Sequence, residues 1–414
     1  MERRVVITGL GAVTPVGNTV EESWENLKAG RSGIAPITRF DTSDLETKFA
    51  GEVKNFDAKE LFGAKEARRL DRYTHFAMEA TRQAIEGSGL LKNGTDRSRV
   101  GLVIGSCVGG IDAVMSQYDV LQQKGPSRVS PFAITMILPD TAAARVAIEY
   151  DLTGPNMSVA TACATGNNSL GEAFEIIRRG SADVMIAGGA DAAVNPLIIS
   201  GFNVMKALSV NNDNPAAACR PFDLNRDGFV MSEGSVVLVL EELERAKKRG
   251  AKILAEFIGY GTSVDANHLA APEENGTGAV AAMRRAIEQA KIAPDKIDYI
   301  NAHGTGTRLN DKIETGAIKE VLGEHAYDTI ISSTKSMTGH LYGAAGAIEA
   351  MVCVKVLTDG IIPPTINYDT PDPECDLDYT PNSARQADVG VALSNSFGLG
   401  GRNATIILKK YAGD

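Results

Sequence analysis

The chain has 414 residues, of which 43% are hydrophobic and 23% are charged, and its formal net charge is −10. This length suits one large α/β domain or two domains of roughly 200 residues each, and the apolar content argues against a disordered chain. The acidic balance argues against nucleic acid and anionic membranes as partners. No apolar run approaches the roughly 18 residues that a membrane-spanning helix needs.

Short apolar runs alternate with longer amphipathic segments along the chain. The runs typical of strands are 5–8, 99–105, 157–162, 183–187, 236–240, 253–258, 299–302, 329–332, 391–394 and 404–408. The segments typical of helices are 21–28, 64–86, 169–179, 243–249, 279–289, 312–322 and 343–358. Buried strands that alternate with such helices predict mixed or parallel sheets covered by helices.

The five cysteines are odd in number and dispersed, and they show no CxxC spacing. This pattern is typical of reduced thiols in the cytoplasm and not of a disulfide framework. The cysteines and the five histidines show no zinc-ligand spacing, so we expect no metal site. Because the strand-like run 5–8 stands so near the start, we also expect no signal peptide. The sequence therefore predicts a cytoplasmic protein.

One short motif occurs twice. Residues 161–166 match residues 334–339 as T-x-x-x-T-G, at an offset of 173 positions. Each copy follows an apolar strand and begins a helix rich in small residues, with apolar positions at helical spacing. The match predicts two related halves, residues 1–250 and 251–414.

Cys163 lies in the first copy of this motif, between a predicted strand and the N-terminus of a helix. Free backbone N–H groups and the helix dipole stabilise an anion there, so we expect a lowered thiol pKa. A thiolate in this position is a competent nucleophile toward a carbonyl carbon, and nearby N–H groups can hold the resulting oxyanion. The local sequence is equally typical of a buried, unreactive cysteine.

Two histidines follow predicted strands in the second half. His303 comes after the run 299–302, and His340 comes directly after the second copy of the motif. A histidine flanked by Gly and Thr at a strand end can donate to a carbonyl oxygen or act as an acid or a base. Either one alone is as typical of a capping or core histidine. Two of them on a duplicated core favour a shared site.

The segments around these residues resemble the β-ketoacyl-[acyl carrier protein] synthases of the thiolase superfamily, and in particular the type II condensing enzymes of bacterial fatty-acid synthesis. The resemblance is nearly full-length and is most specific in residues 161–166, 301–305 and 335–340. A Cys-His-His set separates this group from thiolases, which use a second cysteine. The resemblance implies a thiolase-like α/β fold with duplicated halves, layered α-β-α-β-α, with mixed five-stranded sheets.

The same resemblance implies a decarboxylative Claisen condensation. Cys163 would accept an acyl chain, and His303 and His340 would stabilise the enolate that forms when malonyl-[acyl carrier protein] loses CO₂. Decarboxylation drives the reaction, so we expect no cofactor apart from the phosphopantetheine that carries the substrates. The further residues implied are Cys163 and Leu399 for the oxyanion with Phe397 at the gate, Lys335 and Glu349 as supports, Thr305 and Thr307 for pantetheine, and Val108, Ala133, Ile134 and Phe202 for the acyl pocket. Lys335 should help to keep His340 uncharged.

An acidic acyl carrier protein is the implied partner, and its docking needs concentrated positive charge. Basic residues recur on one face of the predicted helix 64–86 and match the family's docking helix. They are Lys65, Arg68, Arg69 and Arg72, with Lys206 as an addition. The alternative is an ordinary solvated helix face with local charge pairs. The family also implies a homodimer, or a heterodimer with a chain-length subunit.

Some positions depart from the family pattern. Leu399 stands where a gate phenylalanine is usual, and Ala133 stands where the fatty-acid enzymes often have an aromatic residue, beside Val108. These small side chains suggest a roomier tunnel that accepts longer or bulkier acyl chains. Arg308 replaces a proline common in the fatty-acid enzymes and resembles the type II polyketide ketosynthases, whereas Ser336 resembles the fatty-acid group.

Three functions are therefore open. The first is a homodimeric fatty-acid elongating synthase, and the second is the ketosynthase subunit of a type II polyketide synthase paired with a chain-length subunit. The third is a non-catalytic scaffold subunit, which the presence of Cys163 disfavours.

Overall fold

The computed structural model describes residues 2–92 and 94–413. The predicted halves, 1–250 and 251–414, also include Met1, Asn93 and Asp414, which lie outside the described residues. The strands are β1 (Val5–Val13), β2 (Ala35–Pro36), β3 (Phe49–Ala50), β4 (Val100–Gly105), β5 (Asn156–Met157), β6 (Val184–Asp191), β7 (Gly234–Glu242), β8 (Ala255–Val264), β9 (Tyr299–Asn301), β10 (Ile330–Ser332), β11 (Ile361–Ile362), β12 (Arg385–Gln386), β13 (Val391–Gly398) and β14 (Arg402–Lys409). The α-helices are α1 (Val20–Lys28), α2 (Ala58–Phe62), α3 (Ala64–Ala67), α4 (Arg72–Ser88), α5 (Ile111–Lys124), α6 (Ala133–Ile137), α7 (Thr141–Tyr150), α8 (Thr165–Arg178), α9 (Pro196–Val204), α10 (Leu243–Lys248), α11 (Thr277–Ala290), α12 (Arg308–Leu322), α13 (Lys335–Thr338) and α14 (Ala345–Asp359).

Every predicted strand and helix overlaps an observed one, with two corrections. The run 157–162 is a strand only at its first residue, and the rest forms the turn that leads to Cys163. The single helix predicted over 64–86 is wrong, because α3 ends at Ala67 and α4 starts at Arg72. Asp71 causes the second start, since its carboxylate accepts the N–H of Tyr73 and caps α4.

Helices α5 and α7 are absent from the sequence prediction. Their apolar residues do not form one buried stripe, because Tyr118 of α5 is 59% exposed and Ile148 of α7 is 72% exposed. These helices therefore keep an exposed apolar surface in the single chain. Their sequences lack the single apolar stripe that identifies a helix packed on the core of its own domain.

Ten strands of the described chain form one sheet in the order β10-β9-β13-β14-β8-β1-β7-β6-β4-β5. The first five strands of this order lie between residues 255 and 409, and the last five lie between residues 5 and 242. When the strands of this sheet are numbered within each half, both halves read third, second, fourth, fifth, first from the outer edge inward. Both halves also share the same pattern of parallel and antiparallel pairs. This repeated topology confirms the duplicated fold.

The two five-stranded halves join where β1 and β8 pair antiparallel, with residues 5–7 opposite residues 255–257. Helices α8 and α14 contact each other at the centre of the molecule, α8 against β4 and β6 and α14 against β13 and β9. On the outside, α4 and α7 cover the first half and α11 covers the second, with α12 packed beside α11. The α-β-α-β-α layering is confirmed.

The central helices pack closely because two glycines face each other's backbone. A Cβ on Gly166 would lie 2.6 Å from the backbone nitrogen of Ala347, and a Cβ on Gly346 would lie 2.6 Å from that of Asn167. Neither glycine tolerates a side chain there without moving a helix. Within residues 2–92 and 94–413, no helix combines the length and the apolar character needed to cross a bilayer.

Candidate active site

Four candidate residues meet at one end of the strands. Strands β9, β10 and β13 run parallel, so the segments that follow them emerge at the same edge of the sheet. These segments carry His303, His340 and Leu399, and α8 of the other half brings Cys163 to the same place. The Cys163 sulfur and one ring nitrogen of each histidine lie within 4.8 Å of one another, and all three residues are buried.

A strained turn presents Cys163 to this space. Ala162 has φ = 50°, in the left-handed region that a non-glycine residue rarely adopts. The turn is held because Thr161 donates its N–H to the hydroxyl of Thr165 at 2.9 Å. Asn168 in turn donates to the hydroxyl of Thr161 at 2.7 Å. Helix α8 begins at Thr165, two residues after the cysteine.

Burial raises the pKa of the Cys163 thiol to about 11, although the backbone N–H groups of Leu399 and Cys163 and the charge of Lys335 lower it. The expected lowering of this pKa is wrong, because desolvation outweighs the local N–H groups and the helix dipole. The resting nucleophile is therefore a thiol. The backbone N–H groups of Cys163 and Leu399 both act on its sulfur, and two donors in this position can hold the oxyanion that forms when a carbonyl carbon binds there.

The segment Phe397 to Leu399, which we call the gate loop, approaches Cys163 through Gly398. A Cβ at Gly398 would lie 3.0 Å from the backbone nitrogen of Cys163 and 2.9 Å from the carbonyl oxygen of Thr161. A residue with a side chain would push the Leu399 N–H away from the sulfur. Gly398 is therefore needed for the two N–H groups to act together.

Both histidines have their proton on Nε2. The Nδ1 of His340 accepts the N–H of Tyr342 at 3.3 Å, and its Nε2 is buried with no hydrogen-bond partner in the described chain. The ammonium of Lys335 lies 3.4 Å from Nδ1 of His303. A neutral imidazole that accepts at Nδ1 carries its hydrogen on Nε2. The two rings therefore offer Nε2–H donors beside the thiol.

Burial holds the pKa of His303 well below its usual value, and the charge of Lys335 and the neighbouring His340 lower it further. Burial and then Lys335 act in the same direction on the pKa of His340. This direction agrees with the expectation that Lys335 helps to keep His340 neutral, and the role itself stays a prediction. In this neutral state each ring still has its Nε2–H group to donate to a developing negative oxygen.

Lys335 is paired with Glu349 of α14, and both side chains are at most 2% exposed. Burial raises the pKa of the Glu349 carboxyl to about 7, with Lys335 opposing this shift. A buried ammonium is costly without such a partner. Glu349 therefore stabilises the cation that keeps the histidines neutral.

No sequence motif pointed to the two buried carboxylates of α12 that shape the loop after β9. Glu314 accepts the N–H groups of His303 and Gly304 at 2.8 Å each, and Asp311 accepts the N–H of Gly306 at 3.2 Å. Acidic residues on the buried face of a helix are rare unless they have such partners. That signal was present for Glu314 in the predicted helix 312–322, whereas Asp311 stands one residue before that segment.

A cavity of about 590 Å³ opens beside these groups. Its lining includes Cys163, Phe202, His303, Thr305, Thr307, His340, Phe397 and Leu399. The hydroxyl oxygens of Thr305 and Thr307 lie 3.0 Å apart along one wall. The cavity therefore brings the predicted nucleophile, the gate and the predicted pantetheine ligands onto one continuous surface.

The predicted acyl-pocket residues are not all on this cavity. Phe202 lines it, whereas Val108 packs behind it in the apolar cluster that contains Cys163. Ala133 is buried on α6, away from the cavity lining, and Ile134 is 69% exposed. An exposed Ile134 can reach an acyl pocket only in an assembly with a second chain.

Comparisons with known proteins decide the family. Residues 2–246 match the family model "Beta-ketoacyl synthase, N-terminal domain", and residues 254–369 match "Beta-ketoacyl synthase, C-terminal domain". The chain belongs to the β-ketoacyl synthase family. It is therefore a condensing enzyme of the acyltransferase type.

Individual relatives cover the whole chain. The 3-oxoacyl-[acyl-carrier-protein] synthase 2 of Synechocystis sp. is 51% identical over 99% of both chains. Among solved structures, the ishigamide ketosynthase/chain length factor has a TM-score of 0.92 at 37% identity and covers 100% of both chains. The AntDE:AntF complex, a type II polyketide synthase acyl carrier protein with its ketosynthase bound to the hexaketide, has a TM-score of 0.91 at 36% identity and covers 99% of this chain and 100% of that chain.

The predicted docking residues of this ketoacyl synthase do not lie on one helix face, because of the break at Asp71. The half-buried Arg72 pairs with Glu233 at 2.6 Å, so it is part of an internal ion pair. Two more of the predicted cations have partners on the surface, Arg69 with Glu66 at 2.8 Å and Lys206 with Glu46 at 2.8 Å. Lys65 and Arg68 are exposed.

The buried Lys335–Glu349 pair leads to a prediction about pH. In the double variant Lys335→Met, Glu349→Gln, the acid limb of the malonyl-decarboxylation rate should move up by at least about one pH unit. The reason is that loss of the ammonium raises the pKa of His303 and His340, so that the rings become protonated at Nδ1 at a higher pH. Burial remains in the variant and still lowers both pKa values. The rate is measured between pH 4.5 and 8.

The surface pair Lys319 and Asp376 provides the control. Its neutral replacement, Lys319→Met with Asp376→Asn, should leave the acid limb where it is. Coincident acid limbs in all three proteins would show that Lys335 does not control the protonation of the histidines.

Proposed function

We propose that this enzyme elongates fatty acids by condensing a Cys163-bound acyl chain with malonyl-[acyl carrier protein], which gives 3-oxoacyl-[acyl carrier protein] and CO₂. The observation that carries the proposal is the buried thiol with two neutral imidazoles, whose reactive atoms lie within 4.8 Å of one another. The relatives named 3-oxoacyl-[acyl-carrier-protein] synthase 2, at about half identity over the full chain, support fatty-acid elongation.

The first step is acyl transfer to Cys163. The sulfur attacks the thioester carbonyl carbon, and the negative oxygen of the tetrahedral intermediate accepts the N–H groups of Cys163 and Leu399. The bond to the pantetheine sulfur breaks, and this sulfur leaves with the proton that the Cys163 thiol gives up. Because the proton passes to the departing sulfur, the attack does not need a free thiolate to accumulate first. The high pKa of the Cys163 thiol is therefore compatible with this step.

The second step forms the carbon–carbon bond. The Nε2–H groups of His303 and His340 donate to the thioester oxygen of the malonyl group, so the electron pair left by CO₂ is held as an enolate. The enolate carbon attacks the acyl carbonyl, the bond to the Cys163 sulfur breaks, and the departing thiolate takes a proton from solvent. The departing carboxylate supplies the electron pair, so we propose that no redox cofactor takes part.

The expected absence of a metal site stays a prediction. A thiol and two imidazoles at this spacing are also a set of ligands that zinc accepts. We propose covalent catalysis for them because the backbone N–H groups of Cys163 and Leu399 act on this sulfur, where they can hold the oxyanion of an acyl-transfer intermediate.

We propose an acyl carrier protein as the partner, with Thr305 and Thr307 along the path of its pantetheine arm. The AntDE:AntF neighbour is a ketosynthase with its acyl carrier protein, which supports this choice. Lys65 and Arg68 are the docking candidates, because they are exposed and form no ion pair among the described residues. The paired Lys206 at the cavity is a secondary candidate.

The docking proposal predicts the effect of reversing two charges. The variant Lys65→Glu, Arg68→Glu should raise KM for malonyl-[acyl carrier protein] about tenfold at low salt, with a smaller increase at high salt. KM for a malonyl-pantetheine thioester, which lacks the carrier protein, should stay within about a factor of two, because this small substrate presents no acidic protein surface to the two reversed charges. Lys296→Glu on the second half is the control. Equal effects on both substrates would contradict docking at this surface.

We further propose a dimer-type assembly through α5, α6, α7 and the edge strand β5. This surface exposes apolar side chains, among them Tyr118, Ile134 and Ile148, and exposed apolar patches of this kind mark interfaces. In such a dimer Ile134 of one chain would border the acyl pocket of the other. The ishigamide neighbour is a ketosynthase with a chain length factor, so an identical or a different partner fits the surface.

The polyketide alternative has weaker support, because the polyketide-type neighbours are 36–37% identical and the fatty-acid relative is 51% identical. The discriminating experiment supplies the purified chain alone with octanoyl- and malonyl-[acyl carrier protein]. Elongation predicts a single 3-oxodecanoyl product by mass spectrometry. A product that appears only after a second, chain-length subunit is added, or that has several keto groups, would favour the polyketide alternative. The cytoplasmic location predicted from the cysteines fits both.

The small side chains of Leu399 and Ala133 predict that the enzyme accepts longer or bulkier acyl chains. Leu399 lines the cavity in place of an aromatic gate, so the variant Leu399→Phe, Ala133→Phe should lower kcat/KM for the longest accepted acyl chains about tenfold relative to short ones. Competition between acyl-[acyl carrier protein]s of graded length measures this preference. The volume-conserving variant Leu399→Met should behave as wild type. An unchanged preference in the double variant would refute the roomier tunnel.

A further inference from the structure

The mouth of the cavity ends at Arg308, the first residue of α12. The cavity lining runs from Cys163 past Thr305 and Thr307 to the exposed side chain of Arg308. The guanidinium group is therefore on the same surface as the nucleophile, at the end that opens to solvent.

The backbone of this segment is held from below. The buried Arg226 donates through Nη2 to the carbonyl oxygen of Arg308 at 3.0 Å and through Nε to that of Thr307 at 3.2 Å. Arg226 is itself held by Asp372 at 2.5 Å. The Cα of Arg308 is thus fixed relative to the cavity, while its side chain stays in solvent.

The other charged groups of the mouth already have partners. Lys206 is paired with Glu46 at 2.8 Å. Asp227 accepts the N–H of Val210 at 3.1 Å, and Asp265 accepts from the amide of Asn403 at 2.6 Å. Of the two Lys and Arg side chains on the lining, Arg308 is the one with no ion pair among the described residues.

We propose that Arg308 binds the phosphate of the phosphopantetheine arm and so positions the thioester at Cys163. The inference rests on the proposed function, in which the thioester end of the arm lies at Cys163 and its middle passes Thr305 and Thr307. The phosphate is at the opposite end of the arm, so it reaches the mouth. A guanidinium group presents paired N–H donors that match two phosphate oxygens.

The phosphate can belong to a carrier protein or to a free phosphopantetheine thioester, and both present the same chemistry. The experiment therefore uses octanoyl-pantetheine and octanoyl-4′-phosphopantetheine, which differ only in the phosphate. Acylation of Cys163 by each is followed by intact-protein mass spectrometry and expressed as kcat/KM. Octanoyl-[acyl carrier protein] forms a third arm, which tests whether the same phosphate matters on a protein.

The wild-type enzyme should prefer the phosphorylated thioester about tenfold, as a charge-assisted hydrogen-bonded pair provides. Arg308→Gln should abolish this preference, and Arg308→Lys should restore part of it. Lys312→Gln is the matched control, because it removes one positive charge from the same helix but lies off the cavity. The control should keep the preference.

Two results would overturn the role of Arg308. One is a wild-type enzyme that acylates equally well with both thioesters, and the other is an Arg308→Gln variant that keeps the preference. Loss of the preference in Lys312→Gln as well would assign it to the general charge of α12 and would also overturn the proposal. Failure of the wild-type enzyme to acylate Cys163 with any of the three substrates would instead contradict the proposed function.

Discussion

Replacing Cys163 by alanine should abolish the acyl adduct and lower condensation by at least about 10⁴-fold, because removing a covalent nucleophile removes the whole acyl-transfer pathway. The two Nε2–H donors remain in this variant, since His340 is held by the N–H of Tyr342 and His303 lies beside Lys335. Decarboxylation of malonyl-[acyl carrier protein] should therefore continue without condensation. The two activities are measured separately as released CO₂ and as 3-oxoacyl product.

The control for this variant is Cys353→Ala, which removes a buried thiol from α14 outside the site. It should retain both activities. Undiminished condensation by the Cys163→Ala protein would contradict the covalent mechanism. Loss of decarboxylation together with condensation would show that the thiol and the histidines do not act in separate steps.

Replacing His340 by alanine should have the reciprocal effect. One of the two donors to the enolate oxygen is lost, so the decarboxylation rate should fall about 10²- to 10³-fold, as for the loss of one oxyanion donor. Acylation of Cys163 should stay within about tenfold of wild type, because the donors of the first step are the backbone N–H groups of Cys163 and Leu399. Intact mass measures the adduct, and released CO₂ measures the second step.

His325 is the matched control, because it lies outside the site and contacts the carbonyl oxygen of Ile297 at 3.0 Å. His325→Ala should leave both steps close to wild type. If His340→Ala lost acylation as strongly as decarboxylation, His340 would have to act on Cys163 itself, and the division of roles proposed here would be wrong.

Much of the site follows from rules that relate sequence to strand ends. His303 and His340 follow parallel strands of one half, and the T-x-x-x-T-G repeat gave the duplication that places Cys163 opposite them. Because the carboxyl ends of parallel strands meet at one edge, a local pattern was enough to predict that these residues belong together. The protonation state of the Cys163 thiol was not accessible in the same way.

The thiol pKa shows why. The helix dipole and the adjacent N–H groups are local, so they can be read from the residues around Cys163. Burial comes from segments that are not adjacent in sequence, including Phe202 and the loop at Gly398 and Leu399, more than 200 positions away. In this site burial is the larger effect, and the sign predicted from local sequence was wrong.

Other differences arise from partners that a helical pattern does not contain. The spacing of Arg68 and Arg72 fits one helix, but Asp71 caps a new helix between them, and Arg72 pairs with Glu233, which is distant in sequence. Glu314 was missed for the same reason, because the backbone N–H groups that it accepts belong to a loop. Ile134 needs a second chain before it can border a pocket.

The central claim is that the acyl group on Cys163 is the group that becomes elongated. The direct measurement isolates the enzyme acylated with carbon-14-labelled octanoyl, removes free substrate and adds unlabelled malonyl-[acyl carrier protein]. Label should leave the Cys163 peptide and appear one for one in 3-oxodecanoyl-[acyl carrier protein]. Label that stays on Cys163 while product forms, or that is released as free octanoate, would contradict the central claim.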